Sequence, residues 1–411
     1  HQRPVPSAAT RRGREAVPLE GPYPVSARED ERMRHIAATL KRIGNLVRIV
    51  SHCLVLYHRS RPRSRERGYN VFGYFSRMNG QGEAARAFAD SLCRAQEKFC
   101  LIDFFDTLHQ RIPRAEEERY RKHYGKTLRY RTNVFFVALD LLKLIKPRIG
   151  FLFKNRHNIV TFWWEFESGF EDRIPLLNEF DEVYVFSDFT KNILTSLACR
   201  KFAVTKIAYP FAENWTIQEE PAAVRQRYHL TGNYCFFFNF DFLSGYNRKN
   251  PEAIIAALGE EFPAEEQVVL VLKTNNTDKA AEKTNRFLQQ VERMGLTGRV
   301  IIIEEPLARD QFMTLLNAMD CYISLHRGEG LGLGILEALA LRKPVIATNY
   351  GGNTEYMQNP LARAVPYTLV PADDDYEPYR RVKHWAEPDR ETARRYMRQV
   401  YRTAAGGKDR G

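Results

Sequence analysis

From about residue 70 onward the chain alternates short apolar runs with helical patterns, and it does so twice. The first series is N-V-F-G-Y-F (70–75), C-L-I-D-F-F (100–105), N-V-F-F-V-A-L (133–139), N-I-V-T-F-W-W (158–164) and E-V-Y-V-F-S (182–187). The second is Y-C-F-F-F-N-F (234–240), V-V-L-V-L-K (268–273), V-I-I-I (300–303), C-Y-I-S-L (321–325) and P-V-I-A-T (344–348). Near-continuous apolar strands separated by helices predict parallel sheets covered on both faces. The Pro-containing stretch I-A-Y-P-F (207–211) separates the two series, and 411 residues exceed what one core usually organises. The expected fold class is therefore α/β, with two Rossmann-like doubly wound domains, 68–210 and 211–384, facing across a cleft. In such sheets ligands sit beyond the carboxyl ends of the strands.

The flanks read differently. Residues 1–30, rich in Pro, Arg and small residues without apolar period, predict a disordered tail. Over 31–67 the sequence predicts a basic amphipathic helix followed by the charged linker R-S-R-P-R-S-R-E-R. Its apolar stripe is Ile36, Leu40, Ile43, Val47, Val50 and Leu54, with Arg34, Lys41 and Arg48 on another face. Residues 385–411 predict a C-terminal helix and tail. Of the 62 Lys+Arg and 50 Asp+Glu, residues 1–150 hold 30 and 15, so a basic first third meets a nearly neutral remainder. That asymmetry points to an anionic partner, which an anionic membrane surface satisfies. The helix packed on its own domain with a solvated basic face is the competing reading. Nucleic acid is not expected, because no aromatics interleave with the arginines and no recognition motif is present. No run of 18 uncharged apolar residues and no signal-peptide core occur, which predicts a cytoplasmic protein or one peripheral on the inner face of the cell membrane. The six cysteines lack C-x-x-C or finger spacing and read as buried thiols.

Chemistry concentrates in S-L-H-R-G-E-G-L-G-L-G-I-L-E-A-L-A (324–340), a predicted strand, glycine turn and helix. Glycines admit a ligand close to the backbone, and free N–H groups at a helix start favour anions. Glu329 and Glu337 can accept from pairs of hydroxyls. Phosphate at the N–H groups and hydroxyls at the carboxylates together describe a nucleotide sugar. His326, Arg327, Gly330, Leu331 and Gly332 belong to the same candidate donor site. Earlier, Arg248 and Lys249 follow a turn containing Ser244 and Gly245, placed to neutralise a diphosphate. Gly80 and Gly82 in M-N-G-Q-G-E would let the first domain's loop approach the same diphosphate. Glu305 and Leu307 lie just past a strand end, Asn353 lies in a turn after V-I-A-T, and Trp164 with Glu165 could face an acceptor. The run Asp373-Asp374-Asp375 has no neighbouring strand end or ligand partner and reads as a solvated loop.

The block H-R-G-E-G-L-G-L-G-I-L-E-A-L-A-L-R-K-P-V-I-A-T-N-Y-G-G-N-T-E-Y-M resembles the signature of glycosyltransferase family 4, the group 1 transferases of GT-B fold, including bacterial polysaccharide and O-antigen types. F-N-F-D-F-L-S-G-Y-N-R-K-N-P is similar to that family's donor-phosphate loop, N-I-V-T-F-W-W-E-F-E-S-G-F-E-D-R to its acceptor-domain segment, and W-A-E-P-D (385–389) matches too. The resemblance implies a retaining transferase that moves a sugar from a UDP- or GDP-sugar to a glycan or polyprenyl-linked acceptor. It implies no cofactor and no metal, Glu329 on the transferred sugar, Glu337 on the ribose, and Glu305 near the base. Catalysis would rest on Glu329, Lys249 and Arg248. The chain departs from the commonest pattern at Gly328, where relatives often have Ser, at Leu331, where they usually have Phe, and at Asn239-Phe-Asp241, where some carry an Arg. A nucleotide-sugar epimerase of the same fold and an inactive nucleotide-sugar-binding scaffold are the alternative readings.

Overall fold

The computed structural model describes residues 40, 43–55, 66–104, 111–125, 127–209, 215–264, 266–374 and 376–408. Two six-stranded parallel sheets dominate it. The first contains β1 (Glu66–Gly73), β2 (Phe99–Asp103), β3 (Tyr130–Phe136), β4 (His157–Thr161), β5 (Glu182–Val185) and β6 (Ala203–Lys206), in the order β2-β1-β3-β4-β5-β6. The second contains β7 (Tyr234–Asp241), β8 (Val268–Asn275), β9 (Val300–Ile303), β10 (Cys321–Ser324), β11 (Val345–Thr348) and β12 (Ala362–Val365), in the order β12-β11-β10-β7-β8-β9. An antiparallel hairpin of β13 (Tyr367–Pro371) and β14 (His384–Pro388) precedes the last helix, Arg390–Lys408. Two Rossmann-like domains are thus present, the arrangement of the GT-B fold.

Burial explains the strands. In β7 the run Tyr234 to Phe238 is buried throughout, and β8 buries Val268 to Thr274, so helices cover both faces of the sheet. Order then positions function. The second sheet reverses direction between β7 and β10, and the first between β1 and β3. A crevice opens beyond the carboxyl ends at each such switch point. The loops after β7 and β10 carry Arg248, Lys249 and Glu329, and the loop after β1 leads to Gly80.

Several local expectations need correction. The first strand starts at Glu66, inside the stretch read as linker. The glycine turn at 78–83 is already helix over Gly80–Arg94, because the Asn79 side chain accepts from the Gly82 N–H (2.6 Å) and caps it. β4 ends at Thr161, so Phe162 to Trp164 lie in a loop, and the segment expected to be helical from 385 begins with β14. Strands β6, β12 and β13 were not foreseen. The tail over 1–30, the residues around 56–65, Ile36 and Pro210 lie outside the described residues.

The helix over 43–55 also departs from its expected orientation. It packs on the first domain through Ile49 and Cys53, with Leu46 and Val50 partly buried, whereas Leu40, Ile43, Val47 and Leu54 from the foreseen stripe are exposed. All six cysteines are free; Cys53, Cys100, Cys235 and Cys321 are buried, but Cys93 and Cys199 are exposed. No helix among the described residues is long and apolar enough to cross a membrane.

Candidate functional site

Between the domains lies a cleft of about 420 Å³. Its second-domain wall is built from two loops stitched together. Gly245 takes a left-handed backbone (φ 79°), and a Cβ there would come within 2.7 Å of the Tyr379 ring, so the turn needs glycine. Residues Tyr246–Lys249 form one helical turn that ends at Asn250, also left-handed. Asn250 donates to the Leu325 carbonyl (3.0 Å), the Arg327 N–H donates to the Arg248 carbonyl (2.8 Å), and the Arg248 guanidinium donates to the Gly328 carbonyl (2.8 Å). The loop after β7 and the glycine turn are therefore tied together.

Inside it, Lys249 Nζ lies 2.6 Å from Glu329 Oε2, and Arg248 lies 3.5 Å from the same oxygen. Burial alone would raise the Glu329 pKa, but the charges of Lys249 and Arg248 pull it down to about 2, so the carboxylate stays ionised. Arg248 also faces Glu165 of the first domain at 3.8 Å and stacks 5.7 Å from the Tyr379 ring centre. Ser244 lines the cleft and accepts the Arg248 guanidinium on its carbonyl (3.2 Å). Gly332, left-handed at φ 80°, leads into the helix Leu333–Ala340, which carries Glu337 into the cleft wall. Gly80 and Leu307 complete the predicted residues that line it.

The other predicted residues lie elsewhere. His326 is fully buried: its Nε2–H donates to the Tyr350 carbonyl (3.1 Å) and meets Asn353 Oδ1 (3.1 Å), while Nδ1 accepts from Ser324 (3.0 Å). Asn353, buried as well, ties this loop to the Thr348 carbonyl. Arg327 points away, bonded to Glu387 (2.5 Å) over the Trp385 ring. Glu305 accepts from the Tyr228 hydroxyl and is not among the cleft-lining residues. Leu331 is buried with Phe75 and Phe186 of the first domain. Gly330 lies against the Trp164 backbone, and its carbonyl accepts from Ser187 (3.3 Å). Trp164 is buried among Phe162, Phe166, Phe170 and Tyr379, with Arg173 over its ring, rather than open to the cleft. Gly82 is buried in the helix Gly80–Arg94, where a Cβ would strike the Tyr74 carbonyl at 2.5 Å. Asp374 turns inward to accept from the Tyr376 N–H (2.9 Å) in the β13–β14 loop; Asp375 lies outside the described residues.

Sequence reasoning assigned no role to several cleft residues. Asn239 at the end of β7 accepts from the Tyr322 hydroxyl (2.9 Å). Lys273 at the end of β8 is held by the Thr274 carbonyl (2.8 Å), and burial lowers its pKa to about 8. Arg309, from the start of the helix Arg309–Asn317, meets Glu337 from its own domain and Glu83 from the first. Polar residues at strand ends were the available signal for Asn239 and Lys273; Arg309 and Glu83 carried none beyond their charge. Among the described residues no group of three or more His, Cys, Asp or Glu is arranged to hold a metal ion.

Two expected results follow from this geometry. A Cβ on Gly328 would lie 2.5 Å from the Phe166 ring and 2.9 Å from the Glu165 carbonyl. Gly328→Ser should therefore cost about 1–3 kcal/mol by overpacking the domain contact, read as a lowered urea midpoint. A variant as stable as wild type would show that the domains yield there. His326, whose pKa burial lowers from 6.5 to about 4, stays neutral while the unfolded chain protonates. Its contribution is present above pH 6.5 and is lost as pH falls towards 4, on the order of 3 kcal/mol. Unfolding free energies across that window should fall less steeply for His326→Asn than for wild type; parallel slopes would refute the assignment.

Residues 241–384 match the family described as glycosyl transferases group 1. No curated protein sequence matches the chain. Similar solved structures include HepE from Anabaena in complex with UDP and glucose, 18% identical, with TM-score 0.56, covering 71% of this chain and 83% of that one. Sucrose-phosphate synthase from Thermosynechococcus elongatus is 16% identical with TM-score 0.56, covering 83% of this chain and all 100% of that one. A glycosyltransferase from Rickettsia africae is 15% identical with TM-score 0.54, covering 73% and 85%. These likenesses establish the shared fold.

Proposed function

We propose that this protein is a retaining, metal-independent glycosyltransferase. It moves a sugar from a nucleotide diphosphate sugar, UDP- or GDP-linked, to a glycan or polyprenyl-linked acceptor in surface polysaccharide synthesis. The observation that carries the reading is the Arg248–Lys249–Glu329 cluster at the β7/β10 switch point. The group 1 match over 241–384 supports it, and the UDP and glucose bound by HepE favour a UDP donor.

In this reading the two cations neutralise the diphosphate as the glycosidic bond breaks, so charge develops where fixed positive groups already stand. The sugar C1 loses its bond to the diphosphate oxygen and gains one to the acceptor oxygen. The acceptor proton passes to the departing diphosphate on the same face, which preserves configuration. Ionised Glu329 takes sugar hydroxyls and Glu337 the ribose. Glu165 reaches the cluster from the first domain, the side assigned to the acceptor in this reading. Incubation with a panel of UDP- and GDP-sugars should release nucleoside diphosphate from at least one; release from none would sink the reading.

A peripheral membrane role for the N-terminal helix has one supporting observation. Leu40, Ile43, Val47 and Leu54 are exposed on a helix that also exposes Arg48, in the basic first third of the chain. Flotation with phosphatidylglycerol vesicles should be lost in an Ile43→Asp/Val47→Asp variant. Unchanged flotation would remove the helix from that role.

A further inference from the structure

The cleft's charged wall does not end at Glu337. Arg309 donates through Nη1 to Glu337 Oε1, and its Nε lies 3.6 Å from Glu83 Oε1 of the first domain. Glu83 in turn binds Arg86 (2.8 Å), whose Nε lies 3.4 Å from Glu116. The side chains of Glu337 and Arg86 are 3% and 5% exposed, and that of Arg309 18%. The network is thus a buried ion chain that crosses the domain boundary on the wall of the cleft.

Such a chain constrains Glu337 in two ways. Burial raises the Glu337 pKa above the usual carboxylate value, and the charge and hydrogen bond of Arg309 offset only part of this. A carboxylate has about four acceptor sites. Arg309 takes one on Oε1, fixing the plane in which the others are presented to the cleft. Glu83 holds the far edge of the guanidinium, so Arg309 is gripped from both domains.

We propose that Arg309 is a positioning residue for nucleotide recognition, holding Glu337 oriented towards the ribose hydroxyls, and that Glu83 completes this arrangement from the first domain. The inference rests on the nucleotide-sugar reading above and adds that recognition of the ribose is shared between the domains. Glu337 itself would touch the ligand; Arg309 acts through it.

Calorimetric titration with UDP, GDP and their 2′,3′-dideoxy counterparts tests this. Wild type should prefer the ribose form of whichever nucleotide it binds by about tenfold or more, the scale of losing well-placed hydrogen bonds to a buried charged acceptor. Arg309→Ala should erase most of that preference while leaving affinity for the dideoxy form within about threefold, the residue having no direct part in it. Combining it with Glu337→Gln should add little, as expected for residues that act as a unit. Arg309→Lys should recover part of the preference and Glu83→Gln should weaken it. If Arg309→Ala does not fold, Arg309→Gln reads the same ratio. A preference unchanged in the Arg309 variants, or equal losses for both nucleotide forms, would overturn the inference and leave the transferase reading intact. Binding of neither nucleotide by wild type would overturn both.

Discussion

Replacing Lys249 by alanine should lower turnover of the nucleotide sugar by about 10²–10³-fold, the usual cost of removing one fixed group that stabilises developing charge. Its ammonium lies 2.6 Å from Glu329 within the cleft, where the proposed diphosphate accumulates charge during bond breaking. The fold should survive, because Glu329 keeps Arg248 at 3.5 Å as a counter-charge. Lys249→Arg should recover only part of the rate, since a planar fork replaces a compact point charge. The check is steady-state release of nucleoside diphosphate beside a urea melt. Full activity in Lys249→Ala would remove the residue from the mechanism.

Arg248→Ala should fail differently, by unfolding. The side chain is 5% exposed, donates to the Gly328 and Ser244 carbonyls, and lies between Glu329 and Glu165. Removing it strands two carbonyls and leaves two carboxylates less compensated in a buried contact. Breaking a buried ion cluster by deleting one partner costs about 3–5 kcal/mol. The expected result is a large fall in the urea midpoint with loss of the domain contact. Loss of activity with unchanged stability would instead make Arg248 a purely catalytic cation. The adjacent residues Arg248 and Lys249 look interchangeable as sequence and both line the cleft beside Glu329, yet Arg248 also ties the two loops together.

The strands that could be read from the sequence are those written as apolar runs, the partly buried edge strand β9 among them. β7 and β8 are continuous apolar runs because helices cover both sides. The missed strands β6 and β12 are edge strands of four residues, and each leaves two or more of them only partly buried. With so little to bury, no periodicity is written into them. The helix over 43–55 misled for the opposite reason: it has apolar residues on two faces, and sequence could not say that Ile49 and Cys53 would face the domain.

The candidate site divides in the same way. Glu329, Glu337, Arg248 and Lys249 were legible because they sit in local motifs at strand ends, and the β7/β10 reversal gathers them. His326, Arg327 and Trp164 shared those motifs, yet they hold the loops together instead of lining the cleft. A motif marks a segment, and packing decides which alternate side chains face the ligand. Arg309 and Glu83 were not legible because their meaning arises only when residues over two hundred positions apart become neighbours.

The most direct test of the account is a crystal structure of the protein with UDP or GDP bound. In that complex the diphosphate should lie against Arg248 and Lys249 and the ribose against Glu337. A diphosphate bound elsewhere, such as in the pocket lined by Arg327 and Arg390, would contradict this placement.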